Sequence, residues 1–448
     1  MPKQYQCLME GSCKGGLNSE CVNGYRGPVC AVCSSNYYKQ FQTCNQCPSK
    51  TWIAGQLSLF AVIFVVIIAV TTWASKRNKD NDKEHGAITV FLAKLKIVIG
   101  FYQVTYGLLE TFSYIKWSDS LQGIGKYSEI LQLNMLQMAP VHCLFSGLRV
   151  DAFGNLFAIM TINTAAIVVS SIAYGVRKAL VLRNRSLDDQ EKSKRVSQAK
   201  EHVYRNLFFF LYVTYLSTCS KTATVLPLAC RPLCRDSKEE KEGGSCLEYL
   251  KADYSTQCHD SRYNQLIIVA YISIAYIIAL PAAAFVALWR QRKISATKEA
   301  KTSQNQVYNE ELVTGLRFLF ESYKSRSWYW ELVEMSRKVS ITSGLILLGQ
   351  ETRSYVGLTL VIAGMYGTLF CWMRPLKDAF ENRLMSTSLA VIVVNLIIGA
   401  VSKIPAENIT VPTDPYLDAV IFNILVVGAN TLVIGLLAGK IVSLSSIQ

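Results

Sequence analysis

Apolar and polar positions along this chain alternate in long blocks rather than in short periods. Nine apolar runs approach or exceed ~20 residues, the length a helix needs to cross the ~30 Å hydrocarbon core of a bilayer. They cover 52–73, 88–115, 152–174, 206–228, 266–289, 329–348, 355–373, 384–401 and 417–441. The pattern predicts an all-α polytopic membrane domain of about nine transmembrane helices over 51–448, preceded by a small polar module over 1–50. The second run is the weakest, with Lys94 and Lys96 at one end and Gln103 and Glu110 inside.

Two further segments carry a helical period. Leu121, Ile124, Ile130, Leu131, Met135 and Met138 between Trp117 and Cys143 predict an outer-surface or re-entrant helix. Leu312, Leu316, Leu319, Phe320 and Tyr323 predict an in-plane amphipathic helix, followed by Trp328, Tyr329 and Trp330 at headgroup level. An anchor is the simpler role for it; a lever acting on the run over 329–348 is the sharper one.

Composition agrees with this pattern. The chain has 448 residues, 51% hydrophobic and 17% charged, below the quarter expected of a soluble protein. Its net charge of +14 would suggest nucleic acid in a soluble protein, but the positions of the charges give another reading. With nine spans and the N-terminal module outside, the loops 76–96, 176–205, 290–328 and 374–383 face the cytosol. Those loops hold twice as many Lys and Arg as Asp and Glu, while the opposite loops balance or are slightly acidic. This is the positive-inside bias, and it predicts an extracellular N-terminus and a cytoplasmic C-terminus in the plasma membrane or another secretory-pathway membrane. The partner it implies is the lipid bilayer, not nucleic acid.

The 14 cysteines cluster in the segments placed outside. Cys7, Cys13, Cys21, Cys30, Cys33, Cys44 and Cys47 lie in the module, and Cys230, Cys234, Cys246 and Cys258 in one later loop. A 50-residue segment buries too little apolar surface to fold without cross-links, so disulfides are expected. The spacings Cys30-x2-Cys33 and Cys44-x2-Cys47 also fit a zinc knuckle, which the extracellular placement disfavours. Seven is odd, so one module cysteine is expected to lack a partner here, with Met1-Pro2-Lys3 reading as the start of a C-terminal piece of something longer. In the later loop Cys143 or Cys219 could replace one of the four. Asn408 opens a glycosylation sequon in the last outside loop.

No catalytic constellation or phosphate loop is present, the four histidines show no paired-ligand spacing, and no cofactor is expected. The informative residues are polar ones inside the spans. Gln103 and Glu110 lie seven apart on one helix face, Asn395 sits in the eighth span, and Asn423 and Asn430 share a face of the ninth. They fit a polar path for cations; the plainer role, hydrogen-bonded glue between helices, needs only the amides. Glu331, Glu334, Arg337, Lys338 and Arg374 read as a structural clamp at the inner end of the sixth and seventh spans, with gating as the rarer role. Pro281 permits a kink in the fifth.

The motifs LKIVIGFYQV (95–104), YLKADYSTQC (249–258), FESYKSRSWYWELVEMSRK (320–338) and MRPLKDAFENR (373–383) add a resemblance. The chain resembles the TRP-like C-terminal membrane region shared with fungal flavin-carrier and polycystin-like proteins, joined to an EGF- or ephrin-receptor-like cysteine-rich module. The resemblance implies a TRP-like cation channel or channel-like sensor with an extracellular ligand bound upstream. The alternatives are a non-conducting receptor or adhesion protein, and a lipid transporter or scramblase.

Overall fold

The computed structural model describes the chain apart from residues 1–6, 8–10, 17–18, 41–42, 59–61, 63–81, 113–114, 116, 129–140, 145–150, 185–187, 234–245, 299–321, 348–352, 403–414 and 446–448. The predicted first span, the amphipathic segment over 312–321, Cys234 and Asn408 fall wholly or largely outside the described residues.

The N-terminal module is two antiparallel hairpins, β1 (Tyr25–Arg26) with β2 (Val32–Cys33) and β3 (Tyr37–Gln40) with β4 (Thr43–Gln46). Cross-links hold it, as its small core requires: Cys7–Cys13, Cys21–Cys30 and Cys33–Cys44. The seventh cysteine corrects the sequence expectation. Cys47 is bonded to Cys143, so the odd count reflects a tether to the helical domain, not a partner missing upstream. The four knuckle-spaced cysteines are thus all oxidised.

The helical domain begins with α1 (Asp82–Thr111) and the short α2 (Asp119–Ser128). The long pair α3 (Ala152–Arg183) and α4 (Asp189–Ala223) follows, and α5 (Ser261–Lys298) runs unbroken through Pro281. Next come α6 (Trp330–Val339), α7 (Arg353–Met373), α8 (Ala379–Ser402) and α9 (Pro415–Ser445). Among the described residues four helices are long and apolar enough to cross a membrane: Ala152–Arg183, Ser261–Arg290, Tyr355–Met373 and Ala379–Val401. Asn423–Leu436 is a shorter apolar stretch. The count of nine is therefore not reproduced. The physical reasons differ: α1 carries Lys94, Lys96 and Glu110, the apolar part of α4 is diluted by hydroxyl side chains and Lys221, and α6 is only 10 residues long, although all three are packed in the bundle.

Two cores organise the helices. The larger joins α1, α2, α6, α7, α8 and α9 through Phe101, Leu108, Trp330, Ile341, Phe370, Leu396 and Val426. The second joins α3 and α5 to the segment after α4 through Phe153, Leu156, Val225 and Tyr263. α2 covers part of the segment that the sequence assigned to a surface helix, and Leu121 and Trp117 are buried against the bundle. A methyl group on Gly399 of α8 would collide with the Trp117 indole. Gly399→Ala is therefore expected to destabilise by about 1–3 kcal/mol through overpacking, read as a lowered unfolding midpoint in detergent.

A three-stranded antiparallel sheet, β5 (Cys230–Leu233), β6 (Leu247–Leu250) and β7 (Asp253–Gln257), caps the end of the bundle nearest the module. Cys230–Cys258 staples it, and Cys246 is also disulfide-bonded. Cys219 is free and buried, so it does not join this cluster.

Candidate functional site

At the end of α6 that α1 and α4 also reach, seven polar side chains meet in a buried cluster. Glu331 is 1% exposed and accepts from Lys96 Nζ at 2.5 Å, Tyr212 Oη at 2.5 Å and Tyr323 Oη at 2.9 Å. Three separate segments thus converge on one carboxylate. Tyr323 is held protonated as a donor, because burial and then the Glu331 charge push its hydroxyl well above the usual tyrosine range. One turn on, Glu334 takes Arg337 in a bidentate grip, 2.6 Å from Nη2 and 2.9 Å from Nε. Lys338 Nζ lies 3.5 Å from Glu334 and 3.4 Å from Tyr212 Oη. Arg337 also stacks over the Tyr366 ring of α7, whose hydroxyl accepts from Trp330 Nε1.

The sequence folds this way because Glu331, Glu334 and Lys338 recur at i, i+3 and i+7, one helix face, with their apolar stems packed beside Trp330 and Met335. Burying a charge costs several kcal/mol unless it is paired and hydrogen-bonded, and pairing satisfies that need here. The clamp assigned to Glu331, Glu334, Arg337 and Lys338 is assembled: Glu334 pairs with Arg337 and Lys338 of its own helix, while Glu331 takes a partner from α1. Lys96 pairs with Glu331, and among the described residues none of the clamp's ion pairs involves the turn over 374–383. That turn is bonded instead to the segment before α6: Lys324 N donates to Pro375 O at 2.8 Å and Lys377 N to Ser322 O at 2.8 Å. Arg374 takes part through its carbonyl, which accepts from Lys324 Nζ at 2.6 Å.

A second charged pair lies near the C-terminus of α1. Lys221 of α4 donates to Glu110 at 2.8 Å, and Ser220 also lies within bonding distance of that carboxylate. Glu110 follows Lys96 by 14 residues, about 21 Å along a helix. The module sits above this pair: Lys39 Nζ donates to the Ala252 carbonyl beside β7 at 3.3 Å. Burial pushes the Lys39 amine below the usual lysine value, while Asp253 and Glu110 pull it back up.

The other residues expected to line a path hold helices together. Gln103 donates to the Val213 carbonyl of α4 at 2.9 Å. Asn395 and Asn430 exchange hydrogen bonds at 3.4 and 3.2 Å between α8 and α9, and Asn423 accepts from Ser120 N of α2. Asn395→Leu is expected to cost about 0.6–2 kcal/mol. The double change Asn395→Leu with Asn430→Leu is expected to recover part of it, measured as unfolding midpoints in a double-mutant cycle.

Sequence reasoning missed Lys96, Tyr212, Tyr323, Tyr366 and Lys39. One signal was present: Lys96, Gln103 and Glu110 recur every seven residues, a single face of α1. Lys96 read as a loop cation because it lies at the edge of its apolar run.

No protein-family model and no solved structure matches the chain. Cysteine repeat modular protein A of Toxoplasma gondii is 22% identical over 466 residues, covering 89% of this chain. The chain spans 14% of the length of that relative. The likeness and the disulfides fit a cysteine-rich module, which the structure joins to several apolar helices.

Proposed function

We propose that this chain is a non-enzymatic, multi-pass surface membrane protein of nine spans that acts as a channel-like sensor passing cations. In this reading the module is extracellular, the C-terminus cytoplasmic, and the membrane the plasma membrane. Its TRP-like character belongs to the proposal. One observation supports it most: α1 and α4 are bonded to each other at two levels, by Glu110–Lys221 near their C-termini beneath the disulfide-bonded cap, and through Glu331, held by Lys96 and Tyr212 partway along the two helices, in the buried cluster. A displacement of the cap is thereby conveyed along two rigid helices to the segment that precedes α6. Tyr323 and Lys324 complete the link to the turn between α7 and α8.

Purified protein in liposomes is the test. Cation current is expected under voltage or membrane tension, and Lys39→Ala, which loosens the cap, is expected to shift its threshold. No current under either stimulus removes the channel reading. A non-conducting receptor is the second reading, favoured by the amide side chains that spend their hydrogen bonds between helices. A silent protein that still binds an extracellular ligand through the module would establish it.

A further inference from the structure

The polar face of α1 is bordered by two cavities. The first, about 20 Å³, is lined by Lys96, Tyr212, Tyr323, Arg337, Lys338 and Glu381 among others. The second, about 10 Å³, is lined by Gln103, Tyr212, Tyr215, Met335 and Lys338 among others. Tyr212 and Lys338 line both, so these two side chains form the partition between them. Arg337 Nη1 is buried and makes no hydrogen bond among the described residues, which leaves a donor to face the first cavity. A polar cavity holds a water once about 10–15 Å³ is open to it, so the two cavities have the size of single waters.

We propose that the cation carried by this protein is the proton, relayed through the seam between α1, α4 and α6 with Lys338 as the group that hands it on. The inference rests on the channel reading and names its permeant ion. Size favours it: a metal cation with even part of its hydration shell does not fit cavities of one water each, whereas a proton moves by exchange between neighbours. Charge favours it too. Glu331 is neutralised by Lys96, and Glu334 by Arg337 and Lys338, so among the described residues Glu381 is the one further carboxylate on the first cavity, and a single carboxylate does not strip and hold a metal ion.

The step balances without any co-reactant. The Lys338 ammonium releases one proton to water in the second cavity, leaving hydronium there, and the neutral amine takes one from an incoming hydronium in the first, leaving water. One N–H bond breaks and one forms, and a single proton has crossed the partition. Glu334, Glu331, Arg337, Lys96 and Tyr212 face Lys338 during the exchange, and Tyr323, Glu381 and Tyr215 line the same cavities. Beyond Gln103 the seam is closed, because Gly107 of α1 packs directly on Thr342. Thr342 lies in a π-helical turn, Ser340–Gly344, that continues α6, a geometry that a local rewinding can shift. Conduction requires the seam to part there.

The test uses proteoliposomes with an internal pH-sensitive dye, a potassium diffusion potential and, in a parallel set, a large organic cation replacing sodium and potassium in a voltage-clamped bilayer. The wild-type chain is expected to acidify the lumen and to keep its current in the organic cation. Lys338→Arg keeps the charge but cannot give up its proton, so flux is expected to fall by about 10²-fold. Lys338→Met is expected to do the same, and an unchanged elution profile and unfolding midpoint confirm that either variant has folded. Sodium or potassium current without acidification overturns the proton relay and leaves the channel reading in place. Proton flux retained by folded Lys338→Arg also overturns the relay. Silence in every ion overturns both readings, and the wild-type measurements decide between these outcomes if neither variant folds.

Discussion

Replacing Glu331 with alanine is expected to lower the stability of the bundle by about 3–5 kcal/mol, the largest effect of any single substitution considered. The carboxylate is 1% exposed and serves three donors at once, Lys96, Tyr212 and Tyr323. Removing it strands the Lys96 ammonium, itself 7% exposed, where water cannot replace the lost partner. It also frees two buried hydroxyls from their acceptor, at about 1–3 kcal/mol for each donor left unsatisfied. These costs overlap, so they do not simply add. Denaturant titration in mixed micelles, followed through tryptophan fluorescence, reads the change. The companion experiment is the double substitution Glu331→Leu with Lys96→Met. A buried pair exchanged for apolar side chains of similar volume is often neutral or stabilising, so most of the loss is expected to return. A wild-type midpoint for Glu331→Ala would mean that water reaches the cluster.

The second large effect is expected from Cys47→Ser. The Cys47–Cys143 bond spans 96 residues and is the covalent link between the module and the helical domain downstream of α2. Removing a disulfide that closes a loop of this length costs about 2–5 kcal/mol. The loss should be local. Cys7–Cys13, Cys21–Cys30 and Cys33–Cys44 remain, so the module keeps its hairpins while its contact with β7 through Lys39 weakens. Hydrogen exchange at β7 and protease cleavage after Lys39 should both accelerate, and Cys143→Ser should reproduce the pattern. Protection unchanged in both variants would show that the non-covalent contact alone holds the cap.

What was legible in the sequence depended on locality. Apolar runs gave α3, α5, α7 and α8 with bounds that the structure extends by a turn or several, since a helix of that composition has few other ways to satisfy its backbone in lipid. The oxidised module was legible from cysteine density in a segment too short for a core. The charged face of α6 was legible from the spacing of Glu331, Glu334 and Lys338 within a single helix. Each of these features is encoded within a few turns of chain.

Pairing between distant segments was not legible, because opposite charges and amides carry no address in the sequence. Lys96 stands 235 positions from Glu331, and Glu110 stands 111 from Lys221. The sequence placed Lys96 in a loop and Glu110 on a polar path; burial of Lys96, Glu331 and Lys221 forced ion pairs on both, because an unpaired charge in that interior costs more than the packing returns. Parity alone pointed Cys47 toward a missing partner, and only the approach of Cys143 in space supplied the real one. By itself, then, the sequence determined where apolar helices and cross-linked polar segments lie, since those follow from local composition. Tertiary structure alone decided which charges meet, which cysteine tethers the cap, and that the polar face of α1 runs from the cap to the buried cluster.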